Sequence, residues 1–290
     1  PDVLVTIDAP SFCFRVIKQC QRLKGFPRIH YVAPTVWAWR PNRVHKFAKE
    51  LDHLLTLLPF EPPYFKSAGL SATFVGHAAL EINLTSLNTN KFKKRHKIPE
   101  KSLLLCLLVG SRKKEVARHI APFRKAAEIL HKQYPELVVV LPTIKIIKSL
   151  VQKNVSSWKI PFLIIDEEQE RFDAMFAANF ALAVSGTITL ELALTKTPFV
   201  VAYKTNPITF LIVYCLIKIK FVSVINILLK REAVPEFIQG ACTGIRLAES
   251  LKNLIEDKHA SVSQLDAANY AIGLLKNEGV KPSQLAAQTV

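Results

Sequence analysis

The chain has 290 residues, half of them hydrophobic and 21% charged, which excludes a disordered or collagen-like chain and leads us to expect about two domains. A formal net charge of +16 at pH 7 and a pI near 9.7 call for anionic partners: nucleic acid, anionic lipid or phosphorylated substrates. The 5 cysteines have no CxxC spacing and sit among apolar neighbours, so they read as reduced, buried thiols of a cytosolic protein rather than a disulfide frame or zinc knuckle.

Pro1 leads straight into an apolar run, Val3–Ile7, so further sequence is expected upstream. That run reads as a buried strand, followed by a helix over Ser11–Leu23, a strand at Ile29–Val32, a basic helix at Arg43–Glu50, and strands at Leu54–Leu58 and Thr73–Val75. This is the βαβ rhythm of a parallel sheet with helices on its faces. Residues 82–101 are polar and then strongly basic, and read as an inter-domain connection. The rhythm restarts with a strand at Leu103–Val109 and a helix at Lys113–Gln133. Strands follow at Leu137–Leu141, Phe162–Ile165, Phe180–Val184 and Phe199–Ala202, the last expected to close the sheet. Helices near 144–153, 168–178 and Thr187–Thr195 alternate with them, and the chain after Arg231 reads as mostly helical. The expected fold class is therefore α/β with two Rossmann-like domains, the N-terminal one incomplete in this chain. The expected boundaries are 1–90, 91–265 and a C-terminal helical stretch 266–290 that could pack back on the first domain.

From Ile208 to Leu229 the chain is strongly apolar, but Lys218 and Lys220 fall near the middle. Each would cost roughly 2.5–3.5 kcal/mol at a bilayer centre. A buried helix, or one lying in the membrane surface over 208–217 with Lys218, Lys220, Lys230 and Arg231 at the headgroups, is expected instead of a span.

Several turns carry chemistry. In Val184-Ser185-Gly186-Thr187-Ile188-Thr189-Leu190-Glu191 a buried strand ends in a turn that opens a helix, where backbone N–H groups favour an anion. Ser185, Thr187 and Thr189 add hydroxyls, Gly186 permits close approach of a ligand, and Glu191 could accept from both hydroxyls of a ribose; an ordinary N-cap is the alternative. Gly110-Ser111-Arg112 followed by Lys113, Lys114 and Glu115 makes a second strand-to-helix turn. Cations in a first helical turn oppose the macrodipole, so they point either to a bound anion, with Arg112 gripping two phosphate oxygens, or to a solvated basic turn. Asp8, at the end of the first strand beside Pro10, stands where ligands of open α/β sheets bind and could accept a proton, or could cap the next helix. Trp37 and Trp39 share one loop, readable as an aromatic core plug. His77 follows Gly76 at another strand end, as a phosphate contact or a plain loop histidine.

Together these segments resemble the lipid-A-disaccharide synthase family, inverting glycosyltransferases of the GT-B type. The resemblance is carried by Ile7-Asp8-Ala9-Pro10, Tyr31-Val32 with Pro34 and Val36-Trp37-Ala38-Trp39-Arg40, Leu58-Pro59-Phe60-Glu61 and Val75-Gly76-His77. In the second half it is carried by Gly110-Ser111-Arg112 with Glu115, Ser185-Gly186-Thr187 with Thr189-Leu190-Glu191, and Asn226 with Arg231-Glu232 and Pro235-Glu236. These run in family order over nearly the whole chain. The chain departs from the family pattern at Ser11, Cys13, Ala78 and Val109.

The resemblance implies condensation of UDP-2,3-diacylglucosamine with 2,3-diacylglucosamine 1-phosphate, giving the disaccharide precursor of lipid A of the Gram-negative outer membrane and releasing UDP. It implies no metal and no cofactor. It implies UDP-sugar binding by the second domain through Arg112, Ser185, Gly186, Thr187, Thr189, Glu191 and Asn226, with Asp8 as catalytic base and His77, Trp37 and Glu236 as further site candidates. The partners it implies are the two acylated sugars and an anionic membrane surface, with cytoplasmic, peripheral placement on the inner membrane; a homodimer stays open. Nucleic acid is not expected, because no nucleic-acid-binding motif accompanies the charge. Two rivals remain: a GT-B enzyme acting on UDP-N-acetylglucosamine, which would not need the VWAWR loop, and a truncated, non-catalytic UDP-binding remnant.

Overall fold

In the computed structural model, residues 1–20, 25–207, 210–211, 219–277 and 279–290 are described. Two all-parallel sheets organise them. The first has the order β1-β2-β3-β4, from Leu4–Ile7, Arg28–Tyr31, His53–Thr56 and Ser71–Phe74. The second has the order β10-β9-β8-β5-β6-β7, from Leu103–Leu108 (β5), Leu137–Pro142 (β6), Phe162–Ile165 (β7), Phe180–Val184 (β8), Phe199–Tyr203 (β9) and Glu236–Ile238 (β10). Central strands of a parallel sheet are covered on both faces and so read as unbroken apolar runs. Leu104 through Leu107 and Ala181 through Ala183 are fully buried for this reason.

The chain divides into two compact units. The first comprises Pro1–Ile82 with Gly273–Val290, and the second Asn83–Leu211 with Lys220–Ile272. In the first, Phe14, Ile17, Phe47, Leu54 and Phe65 fill one side of the sheet. In the second, the long helix Lys113–Gln133 and the helix Gly244–Glu256 cover one face through Val116, Phe123, Leu247 and Leu251.

Two expectations need correction. Phe199–Ala202 does not close the second sheet: β10 pairs in parallel beyond it, Tyr203 opposite Ile238, and Val201 N–H also donates to the carbonyl of Pro235. A strand of 3 residues after a proline has too little periodicity to show in sequence. The basic connection itself contains a short helix. Thr89–Arg95 is a helix, capped by Asn88 Oδ1 accepting from Lys91 N at 2.9 Å and anchored by buried Phe92. Its run of cations hid a single apolar anchor. Of the cysteines, Cys13, Cys106 and Cys242 are buried and free, whereas Cys20 is only partly covered. The apolar stretch 208–217 lies outside the described residues except for Phe210 and Leu211. Among the described residues no helix is long and apolar enough to cross a membrane.

Candidate active site

The order of the second sheet reverses between β5 and β8: from β5 the chain proceeds outward to β6 and β7, and from β8 outward to β9 and β10. Ligands of open α/β sheets bind outside the carboxyl ends of the strands at such a switch point. The register pairs Leu108 with Ala183, so the two turns singled out in sequence, Gly110-Ser111-Arg112 and Ser185-Gly186-Thr187, leave the sheet side by side.

Gly110 has φ +104°, and a Cβ there would lie 2.6 Å from Glu115 Cβ. The glycine is required because Glu115 folds back over the turn. Its Oε2 accepts from Ser111 N at 2.9 Å and Arg112 N at 3.2 Å, and its Oε1 from Arg112 Nη1 at 2.8 Å. Those backbone N–H groups are thus occupied by Glu115, while the Arg112 side chain is 80% exposed and open to an anion. An exposed ion pair of this kind contributes little and yields readily to a phosphate.

At the second turn Gly186 and Thr187 are exposed, and a Cβ on Gly186 would meet no atom within 4 Å. Ser185 Oγ donates to Val222 O at 2.7 Å, and wholly buried Thr189 donates to Gly186 O at 2.9 Å. Thr189 braces the turn from beneath, its hydroxyl enclosed. Glu191 lies one turn into the following helix, Ile188–Leu194. Arg171 Nη2 stands 3.3 Å from both of its oxygens and donates to Oε1. Its Oε2 is buried and accepts no hydrogen bond among the described residues. Burial raises the Glu191 pKa above the usual carboxylate value, with Arg171 opposing the shift. A half-satisfied, enclosed carboxylate gains most from neutral hydroxyl donors. Arg171 was missed in sequence. Its only signal is indirect: a buried carboxylate needs a cation, and 20 residues separate the two.

Asn226 and Glu236 are bonded to each other and to the backbone around them. Asn226 is fully buried, accepts from Ala233 N and Val234 N at 2.8 and 2.9 Å, and donates to Val234 O and Glu236 Oε1 at 2.7 Å each. Glu236 also accepts from Val222 N and Ser223 N at 2.8 Å. Both ends of its amide are spent on the protein, and Asn226 staples the 222–236 segment to which Ser185 is tied. Burial raises the Glu236 pKa, against the three donors that favour its charged form.

In the first unit, Asp8 closes β1 and is exposed, with φ +49°, followed by Ala9 at +40°. Its N–H donates to Tyr31 O at 2.9 Å. At the end of β2, Val32 has φ +80°, a costly conformation for a β-branched residue. Such outliers cluster at functional sites. Behind them, fully buried His30 holds Nδ1 2.8 Å from Thr6 Oγ1, and burial drives its pKa down to about 4.

Trp37 is a structural clasp. Its Nε1–H donates to Glu61 Oε1 at 3.0 Å, while Glu61 Oε2 accepts from Leu57 N and Leu58 N at 3.1 and 2.9 Å. The VWAWR and LPFE segments are thereby one assembly. Glu61 is nearly fully buried, and its pKa is pushed up to about 7 by desolvation, against the three donors. His77 is buried too; its Nδ1 accepts from Ala79 N at 3.1 Å, so that it caps the GH turn. Gly76 beside it, φ +89°, packs within 3.1 Å (Cβ position) of Leu275 O and Pro282.

Comparison with known proteins adds a lineage. The family described as lipid-A-disaccharide synthetase matches residues 1–290. The chain is 43% identical to a lipid-A-disaccharide synthase of Rhodospirillum centenum over 291 residues, covering 100% of this chain and 73% of that one. Among solved structures, a Staphylococcus aureus MnaA–UDP co-structure has a TM-score of 0.66 at 15% identity, covering 94% of this chain and 73% of that one. A UDP-GlcNAc 2-epimerase of Neisseria meningitidis bound to UDP-GlcNAc has a TM-score of 0.61 at 15% identity, covering 96% and 77%. These two likenesses show a shared fold.

Proposed function

The chain belongs to the lipid-A-disaccharide synthetase family, and from that premise we propose how its residues divide the reaction. It is a glycosyltransferase of lipid A biosynthesis. The substrates we assign are UDP-2,3-diacylglucosamine as donor and 2,3-diacylglucosamine 1-phosphate as acceptor.

The second unit holds UDP. The observation that carries this assignment is the pairing of Leu108 with Ala183, which sets Arg112 and the Ser185–Thr187 turn at one switch point beside the unsatisfied carboxylate of Glu191. Glu191 accepts from the ribose hydroxyls. Arg112 releases Glu115 and neutralises the diphosphate as negative charge builds on the leaving group, which is transition-state stabilisation by a positioned charge. Ser185, Thr189, Asn226 and Glu236 hold the turn and loop in place. Asp8, exposed at the end of β1 on a strained backbone, takes the proton of the attacking acceptor hydroxyl. The 43% identity over the whole of this chain favours this reading over a UDP-N-acetylglucosamine enzyme, whose resemblance is of fold alone.

We further assign the protein to the anionic membrane surface where acylated sugars reside, on the motif 208–217 followed by Lys218, Lys220, Lys230 and Arg231. The reaction is tested by UDP release on mixing both acylated sugars with the protein. Release that requires both sugars and yields a disaccharide 1-phosphate is expected. Release with the donor alone, or epimerisation of UDP-N-acetylglucosamine, would contradict it.

A further inference from the structure

One strand beyond the switch point the second unit has a cavity of about 510 Å³, within the range of small-ligand sites (about 300–1,000 Å³). It is lined by Arg118, Lys204, Thr205, Pro207, Gln239 and Gly240. The register explains its place. Tyr203 pairs with Ile238, so Lys204-Thr205 and Gln239-Gly240 leave the carboxyl ends of β9 and β10 together, where a parallel sheet receives ligands. Arg118 reaches it from the second turn of the helix Lys113–Gln133.

The floor is built rather than incidental. Buried His119 is locked between two backbone groups: its Nδ1 lies 2.7 Å from Glu115 O, and its Nε2 accepts from Lys204 N at 2.8 Å. That pattern fixes the neutral ring with its proton on Nδ1. Gln239 adopts a left-handed backbone, φ +51°, which turns its Oε1 back to accept from Thr205 N at 2.7 Å. Its amide NH₂ is left to donate. A strained non-glycine residue at a cavity rim is the kind of outlier that marks a ligand site.

The chemistry of the lining is one-sided. Among the described residues no carboxylate lines the cavity, and neither Arg118 nor Lys204 is in an ion pair. Both cations are near enough to His119 to oppose its protonation. Two cations, a hydroxyl and an amide donor around one space suit a dianion with several acceptor oxygens. A phosphate monoester has that charge, about −1.5 to −2 at neutral pH, whereas a carboxylate or phosphodiester has one. The cavity also exceeds a bare phosphate and leaves room for the group that bears it.

We infer that this cavity is a second anion subsite, separate from the nucleotide site, which takes a sugar phosphate monoester through Arg118 and Lys204. In the proposed reaction the acceptor carries such a group, and to that extent the identity of the occupant rests on that reading. The subsite itself does not.

The test is calorimetry on the whole chain with saturating UDP present, titrating glucosamine 1-phosphate, with glucosamine as the uncharged control and phosphatidylglycerol vesicles as the lipid arm. The Arg118→Gln/Lys204→Gln double variant should weaken glucosamine 1-phosphate at least tenfold and leave UDP affinity within twofold. Lys204 is exposed and Arg118 only partly buried, so the variant is expected to melt close to the wild type. Unchanged glucosamine 1-phosphate affinity in the variant would overturn the subsite. A parallel fall in UDP affinity would overturn its separateness. Loss of vesicle binding with unchanged sugar-phosphate affinity would overturn the monoester in favour of a lipid headgroup.

Discussion

Asn226 donates its Nδ2–H to Oε1 of Glu236 over 2.7 Å, and the pair closes a loop whose Val222 carbonyl receives the hydroxyl of Ser185. The turn proposed to hold the nucleotide is thus tied to β10 through two side chains bonded to the protein itself. Asn226→Ala would leave Glu236 and two backbone N–H groups short of a partner in a buried place, at about 1–3 kcal/mol for each unsatisfied group. We expect a lower melting temperature and weaker UDP affinity together. Asn226→Ala with native stability but no UDP binding would mean that Asn226 contacts the ligand itself.

Glu61 makes a pH-dependent contribution with a definite sign. Its folded pKa of about 7 lies above the ordinary 4.5, so between those values the folded state holds a proton that the unfolded state has lost. Its share of stability is therefore largest at pH 4.5 and declines as pH rises to 7, by about 3 kcal/mol at 1.36 kcal/mol per unit. The stability of wild type minus that of Glu61→Gln, from denaturant titration at pH 4.5 and 7.5, should fall by an amount of this order. A difference that does not move with pH would contradict the buried, proton-holding carboxyl.

Asp8→Asn keeps the shape of the β1 terminus and removes the proton acceptor. Turnover should fall by roughly 10²–10⁴-fold, with UDP affinity retained. Near-normal turnover would assign the proton to another group.

Leu211 is 64% exposed, at the margin of the apolar segment. Leu211→Glu should weaken binding to anionic vesicles at low salt without lowering the melting temperature, since its side chain is not in the core. Vesicle binding equal to wild type would remove this segment from the membrane surface.

Much of the second unit was legible because its strands are enclosed and apolar: Phe162–Ile165 and Phe180–Val184 stand where the sequence pattern predicts them, as does the helix Lys113–Gln133. The positions of Arg112 and Glu191 at strand-to-helix turns were legible for the same reason. What sequence could not show is which side chains spend their hydrogen bonds internally. Thr189, Asn226, Trp37 and His77 have the chemistry of ligand contacts, and each is turned inward by a partner distant in sequence or enclosed by packing. Arg171 and His119 were invisible in the other direction, because their roles depend on contacts across 20 and 85 residues.

The proposed binding of the UDP ribose by Glu191 is tested most directly by calorimetric titration of UDP into wild type and Glu191→Gln. Loss of a charged acceptor for hydroxyl donors should weaken binding by about 1–3 kcal/mol, roughly 5- to 150-fold, with the fold intact by circular dichroism. UDP affinity equal to wild type in Glu191→Gln would contradict the assignment of the nucleotide to this switch point.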